Sequence, residues 1–392
     1  MVEGPLAGIL VVDFTRLIAG PCATDLLAAL GARVIKIESA GGDPMRLTRS
    51  AGTGSLSASP TFVAYNSLKE SIVLDLKHGP DRELALNMCT RADVVIESFR
   101  PGVMDRLGLG SDAIRTRNPD VIYASLSAFG NVEPLASRGG VDIVLQAECG
   151  LMSVTGEAGR DPLKVGVPIV DSAAAYVVAF GVVSALLNRV RHGVCDDVVV
   201  SMFDVGLHAQ AQAFSEFLTS GNQPPRTGNR VPYAAPAEVY PTAEGMLVLS
   251  AHIREHWPRL CSLLGRPDLV ADPRFIDVQK RVDNRAALSE QLVAALAGRT
   301  AAEWVEILGR AGLTVGRIRS YEDVLGGPEV AAGQSVVAGV NADGAPVRLV
   351  RSPVRFRRWS DAGLARRVRA LDADGPGLRQ EFAVDLPDQA AT

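Results

Sequence analysis

Cysteine and histidine are scarce in this chain, and it has no long uninterrupted apolar run. Its five cysteines (Cys22, Cys89, Cys149, Cys195, Cys261) are scattered, odd in number and form no C-x-x-C. That pattern argues against a disulfide framework and leads us to expect a reducing, cytoplasmic setting. No run reaches the roughly 18 apolar residues that a membrane span requires. The richest stretch, residues 173–187, is interrupted by Tyr176, Gly181 and Ser184 and reads as a buried helix. The sequence does not open on a basic segment followed by an apolar core, so neither a signal peptide nor a membrane partner is expected. A formal net charge of −4 carries no footprint of nucleic-acid binding. Basic residues do gather late, at Arg348, Arg351, Arg355, Arg357 and Arg358, and read as a solvated strand face.

Several catalytic signatures are also missing. There is no G-x-S-x-G, and His78, His192 and His208 sit in unrelated settings, so a Ser-His-Asp site has no support. There is no P-loop and no G-x-G-x-x-G. The last absence is informative because the chain opens as if to bind a nucleotide. Residues 8–14 are a short apolar run ending in polar Asp13. Residues 15–21 form a turn, residues 22–30 follow helical spacing, and residues 32–38 are a second strand-like run. Strand, loop, helix and strand make the opening unit of a parallel α/β sheet. Its loop, Thr15-Arg16-Leu17-Ile18-Ala19-Gly20-Pro21, offers no glycine nest for a pyrophosphate.

The alternation continues. Strands are expected at 71–76, 93–99, 121–127 and 197–202, and helices at 81–91, 105–117, 171–189 and on to 220, which favours a doubly wound sheet. A loop rich in Gly, Ser and Thr covers 41–59. With 392 residues, 47% of them apolar, the chain is long enough for two or more domains. Residues 221–229, Gly-Asn-Gln-Pro-Pro-Arg-Thr-Gly-Asn, read as a linker. Beyond them lies a smaller α+β region, with a strand at 246–250 and helices near 255–264, 285–296 and 300–311. Past about 325 the chain reads as crossing strands and a tail. No internal repeat is present.

Two motifs carry possible chemistry. His252-Ile253-Arg254-Glu255-His256 matches H-x-x-E-H, but the strand leaving at Ser250 and the helix beginning near Glu255 put His252 in a loop, which disfavours a metal site. Val165-Gly166-Val167-Pro168-Ile169-Val170-Asp171-Ser172 brings a carboxylate to the mouth of the long apolar helix. There Asp171 or Ser172 serves as an ordinary helix cap. The alternative is a poorly hydrated carboxylate acting as a covalent nucleophile. Spacing by itself favours the cap.

A set of segments in order resembles one family, the class III CoA-transferases, which also contains formyl-CoA transferases and α-methylacyl-CoA racemases. They include Pro5-Leu6-Ala7-Gly8, Ala19-Gly20-Pro21, Leu30-Gly31-Ala32, Gly42-Asp43-Pro44-Met45-Arg46, Leu74-Asp75-Leu76-Lys77, Glu97-Ser98-Phe99-Arg100-Pro101-Gly102, Trp257-Pro258-Arg259-Leu260 and Asp272-Pro273-Arg274-Phe275. The resemblance implies an α/β fold with a Rossmann-like large domain on a parallel sheet. That domain would be formed by residues 1–220 and a return at 326–392, with a small α+β domain at 230–325. It also implies an interlocked homodimer. The implied nucleotide is coenzyme A, a substrate with no permanently bound cofactor beside it, and the implied reaction moves CoA from an acyl-CoA to a carboxylic acid.

On the family's pattern the catalytic residue falls on Asp171. CoA contacts fall on Ile18, Ala19, Leu74, Lys77, Ser98, Phe99, Arg100 and Arg106, and a further polar contact falls on Asp142. An ordinary carboxylate pKa near 3.9 would leave Asp171 ionised at neutral pH, and N–H groups near Ser172 would face the oxyanions. Two departures from the pattern matter. Val141 stands where the racemases carry a His, which disfavours two-base racemisation. Ala251-His252-Ile253-Arg254 replaces the glycine-rich loop of oxalate-type enzymes, which points to a bulkier or differently charged acid. The alternatives are an isomerase using Asp171 as base and a non-catalytic acyl-CoA binder.

Overall fold

A computed structural model describes residues 3–48, 59–253 and 255–383. Most of the 41–59 loop, from residue 49 to 58, and Arg254 of the H-x-x-E-H motif lie outside the described residues.

The first six strands are β1 (Leu10–Asp13), β2 (Arg33–Glu38), β3 (Glu70–Val73), β4 (Val94–Glu97), β5 (Ile122–Ser127) and β6 (Val198–Ser201). They form one sheet in the order β3-β2-β1-β4-β5-β6, and every pairing is parallel. Strand order reverses between β1 and β4, and ligands of such sheets bind at that switch point, beyond the carboxyl ends of the strands. Side chains alternate across the pleat. Val11, Val94, Ile96 and Ile122 enter one core, whereas Val12, Ile35, Ile72 and Val95 enter the other. Both faces are covered, which is why these strands read as continuous apolar runs.

Contacts group the chain into two compact units. The first comprises Met1–Leu151, Lys164–Asn222 and Val330–Thr392, and the second Met152–Leu163 and Gln223–Glu329. The second unit carries an antiparallel sheet of β7 (Ala237–Pro241), β8 (Met246–Ser250) and β9 (Thr314–Arg317). Its core holds Tyr240, Trp257, Phe275 and Trp304. Buried Arg281 donates to the carbonyls of Ala235 and Phe275 at 2.8 and 3.0 Å.

In the first unit the helix Ala19–Ala29 and the long helix Ile169–His192 share a core. Ala19, Ala23 and Ala28 of one and Ala174, Ala175 and Val178 of the other are all buried there. Small side chains let the two backbones approach closely, and this carries the loop after β1 toward the start of the long helix. By length and composition the long helix could cross a membrane, yet Val170, Val178, Val182 and Leu186 are buried in the core. Burial of each such side chain stabilises the fold by roughly 1.5–3 kcal/mol.

The last strands, β10 (Val336–Val340) and β11 (Pro346–Val350), pair antiparallel. The tail then covers the β3 edge. Ser71 N–H donates to Asp374 Oδ2 and Val73 N–H to Asp372 Oδ1, which satisfies donors that an open edge would leave free. Arg351 departs from the expected solvated face. It is buried and pairs with Asp361, which also takes Arg366 at 2.7 Å. An acid further along the chain neutralises it, and local sequence carries no trace of that pairing. Residues 105–117 are not one helix either. Val103–Arg106 and Ser111–Arg115 are separate turns, broken around Gly108, whose φ of +69° only glycine adopts readily.

Candidate active site

The loop after β1 is organised by a buried carboxylate. Asp13 accepts hydrogen bonds from Thr15 N–H (2.8 Å) and Thr24 Oγ1 (2.7 Å), and Lys69 Nζ lies 3.1 Å away. Burial pushes its pKa up, but Lys69, Lys36 and the two hydroxyls outweigh burial and hold it at about 2. The loop's one glycine has a packing role: a Cβ on Gly20 would stand 2.3 Å from Thr15 Cβ. Leu17 takes a left-handed φ of 68°, a conformation that costs free energy and that recurs at ligand sites.

Two cavities open beyond the carboxyl ends of the strands. The larger, about 990 Å³, is lined by Ile18, Ala19, Ser98, Arg100, Asp142 and Asp171 among others. The smaller, about 550 Å³, is lined by Leu74, Lys77 and Arg106. Arg16 and Phe99 line both, and the Arg16 guanidinium lies over the Phe99 ring at 4.8 Å. The structure therefore brings all ten expected residues to the switch-point face, in two adjoining chambers. Leu74 and Lys77 reach the smaller chamber because β3 ends at Val73, three residues earlier than the apolar run suggested. The carboxylate of Glu97, at the end of β4, accepts Phe99 N–H at 2.7 Å and fixes the turn between the chambers. Burial pushes Glu97 up to about 7.

Asp142 does what the sequence assigned to Asp171 or Ser172. It opens a short helix, Asp142–Glu148. Its Oδ1 accepts Val170 N–H at 2.8 Å and Asp171 N–H at 3.3 Å, so it caps the long helix from outside. Its Oδ2 accepts from Gln146 Nε2 at 2.5 Å, and Gln146 Oε1 accepts Val165 N–H at 2.8 Å. Gln146 is fully buried, and sequence reading missed it. The i, i+4 spacing of Asp142 and Gln146 was the available signal.

With the cap supplied by Asp142, the Asp171 side chain stands at the head of the helix with no hydrogen-bond partner among the described residues. Burial pushes its pKa up, and the Asp142 charge beside it adds to the effect, to about 7. The expectation of an ordinary carboxylate, ionised with ease at neutral pH, is corrected accordingly. So is the expectation about N–H groups near Ser172. Ser172 N–H donates to Pro168 O at 3.0 Å and its hydroxyl to the same oxygen at 2.9 Å, so that N–H is not aimed at the cavity.

The H-x-x-E-H motif does not lie on one helix. His252 sits in the loop after β8 with Nδ1 3.0 Å from Ser250 Oγ, whereas His256 opens the helix His256–Leu263. Among the described residues no group of three or more His, Cys, Asp or Glu side chains is placed to hold a metal ion.

A sheet in Rossmann strand order with a two-chambered cleft at its switch point is an α/β architecture of the kind that holds ligands beyond the carboxyl ends of its strands. The chain matches CoA-transferase family III over residues 6–367. It is 39% identical to the probable fatty acyl-CoA transferase Rv3272 of Mycobacterium tuberculosis, over 90% of this chain and 92% of that protein. It is 37% identical to the acetyl-CoA:oxalate CoA-transferase of Acetobacter aceti, over 97% and 96% respectively. The crystal structure of Rv3272 superposes with a TM-score of 0.85 at 36% identity, covering 95% of this chain and 99% of that one. The protein belongs to CoA-transferase family III and is a CoA-transferase enzyme.

Proposed function

We propose that the chain transfers CoA from an acyl-CoA donor to a carboxylic acid through covalent intermediates on Asp171. The observation that carries this reading is the uncapped Asp171 carboxylate in the large chamber, with Asp142 holding the helix behind it. An ionised carboxylate in a poorly hydrated site is a strong nucleophile toward a thioester. Asp171 attacks the thioester carbonyl, the C–S bond breaks, and CoA leaves as thiolate from a mixed anhydride. The thiolate attacks the aspartyl carbonyl and expels the donor acid, which leaves an aspartyl-CoA thioester. The acceptor carboxylate attacks that thioester and again releases thiolate. The thiolate takes the new acyl group from the anhydride and restores the Asp171 carboxylate.

The two chambers divide the substrate. Lys77 and Arg106 suit the phosphates of the nucleotide end. Phe99 and Arg16 at the junction suit passage of the pantetheine arm toward Asp171. Arg100, Ser98, Ile18 and Ala19 complete its path. We also propose a homodimer. The long helix leaves Phe180 74% and Val190 81% exposed on the side away from its core, and a second copy would cover such a face.

The test is chemical. Protein incubated with acyl-CoA and quenched with hydroxylamine or borohydride is examined by mass spectrometry for modification at Asp171. An unmodified Asp171, or full transfer by Asp171→Ala, rules the mechanism out. Deuterium exchange at Cα without an acceptor acid would favour an isomerase instead.

A further inference from the structure

Gln146 is an unusual residue for its place. It is fully buried, one turn into the helix Asp142–Glu148 and next to the core residue Leu145. An amide buried among apolar side chains costs free energy unless its ends are bonded, and a Leu or Met would fill the same space without that demand. Both ends are bonded here. Its Nε2 donates to Asp142 Oδ2 at 2.5 Å, and its Oε1 accepts Val165 N–H at 2.8 Å. A carboxylate accepts and a backbone N–H donates, so the two partners dictate which way the amide points. One side chain thereby joins the short helix, the chamber wall at 166–168 and, through Asp142, the first turn of the long helix.

That joint governs the N–H groups at the head of the long helix. Those of Val170 and Asp171 are held by Asp142 Oδ1 at 2.8 and 3.3 Å. A carboxylate in the first turn of a helix is drawn to free N–H groups there, and Asp171 stands in that turn. If Asp142 swung away, the Asp171 carboxylate would take those N–H groups itself. Hydrogen bonds to its charged form would then lower its proton affinity and its nucleophilicity together. Other groups at the site do not set that balance. Cys22 and Tyr65 feel the Asp171 charge, but burial foremost pushes both up to about 12, so neither is charged at neutral pH. Arg16, Arg100, Arg138 and Lys164 line the chamber, and among the described residues none of them forms an ion pair with Asp171.

We infer that Gln146 is a positioning residue for CoA transfer: by fastening Asp142 to the head of the long helix, it keeps Asp171 from capping its own helix and leaves that carboxylate for the thioester. The inference rests on the transferase reading above. It gives Gln146 an effect on the reacting carboxylate and none on the hold on CoA phosphates, which the proposed arrangement assigns to Lys77 and Arg106 in the smaller chamber.

The experiment follows two readouts across pH: CoA transfer, with the best pair from a panel of short acyl-CoA donors and carboxylic acids, and the Asp171 carboxyl itself, by carbon-13 NMR. The proteins are wild type, Gln146→Met, Gln146→Glu, Asp142→Ala and the double variant Asp142→Ala with Gln146→Met. Gln146→Met should lower kcat roughly 10-fold or more, the range of a hydrogen bond to a charged group, and leave KM for the acyl-CoA within about twofold. It should also move the Asp171 midpoint down by about one pH unit, the range of a helix cap. Asp142→Ala removes what Gln146 holds, so adding Gln146→Met to it should change kcat by less than about twofold. In Gln146→Glu the two neighbouring carboxyls share one proton. While it is present the new side chain donates to Asp142 as Gln146 does; once it leaves, Asp142 is expelled, and kcat should fall again at alkaline pH where wild type stays level. A wild-type kcat and midpoint in Gln146→Met, a loss confined to KM, additive losses in the double variant or a level alkaline limb in Gln146→Glu would each overturn the inference. Should Gln146→Met fail to fold by circular dichroism, the alkaline limb of Gln146→Glu decides. If wild type passes CoA to no acid and Asp171 stays unmodified, the transferase reading falls, and the NMR midpoints still decide whether Gln146 keeps Asp171 off its helix.

Discussion

Replacing Asp171 with Asn is expected to abolish CoA transfer and to make the protein more stable at pH 8. In the native state the carboxyl titrates at about 7, against 3.8 for a carboxyl in water. Each pH unit of such a shift corresponds to about 1.4 kcal/mol, so ionised Asp171 destabilises the native state by about 4 kcal/mol at most. Solvent entering the open chamber lowers that figure. Because the folded pKa is raised, the native state binds more protons than the unfolded state between about pH 4 and 7. Its stability therefore falls as pH rises through that window and is level above it. Asparagine has nearly the same shape and no charge to desolvate, and the N–H groups of Val170 and Asp171 remain bonded to Asp142. The variant should exceed wild type by about 2–4 kcal/mol at pH 8, with the gap closing toward pH 4. Urea unfolding of both proteins at pH 4.5, 6 and 8 measures it. A variant no more stable than wild type at pH 8, or a gap independent of pH, refutes the reasoning. So would undiminished transfer by the variant.

Further outcomes are expected at other positions. The pH profile of kcat/KM for acyl-CoA should rise with a midpoint near 7 as Asp171 ionises, and Asp142→Asn should move that midpoint to lower pH by removing the like charge; steady-state rates from pH 5 to 9 test both. Lys77→Ala and Arg106→Ala should raise KM for the acyl-CoA roughly 10-fold or more, the range of a lost phosphate contact, while KM for the acceptor acid stays the same. Asp13→Ala should destabilise the fold by about 3–5 kcal/mol, because it strands the buried Lys69 ammonium. Asp13 has a lowered folded pKa of about 2, so the stability it contributes is present above about pH 4 and is lost as pH falls toward 2. Denaturant unfolding across that range reads both effects.

The sheet was the most legible part of the molecule. Runs such as 32–38 and 93–99 are apolar on both faces because both faces are covered, and strand with helix in alternation implies parallel pairing. Family resemblance named ten candidate site residues, and the fold gathers them at one face. Asp142 is the clearest case where reading along the chain fell short. Helix-cap logic is local and assigned the cap to Asp171 or Ser172, whereas the cap arrives from a different segment. Gln146 was overlooked for a similar reason, since it stands in no motif and matters through the segments it ties together. Arg351 looked solvated until Asp361 was seen to fold back on it.

The missing glycines in the loop after β1 had already excluded a dinucleotide's pyrophosphate nest, and periodicity alone implied the order of strands and helices. Sequence could carry that much because backbone geometry and side-chain period are properties of neighbouring residues. Tertiary structure decided the rest: which acid caps the long helix, which is left free, and how far its pKa rises. Those depend on burial and on charges brought together from segments 29 residues apart, and a carboxylate's electrostatics belongs to its surroundings in space.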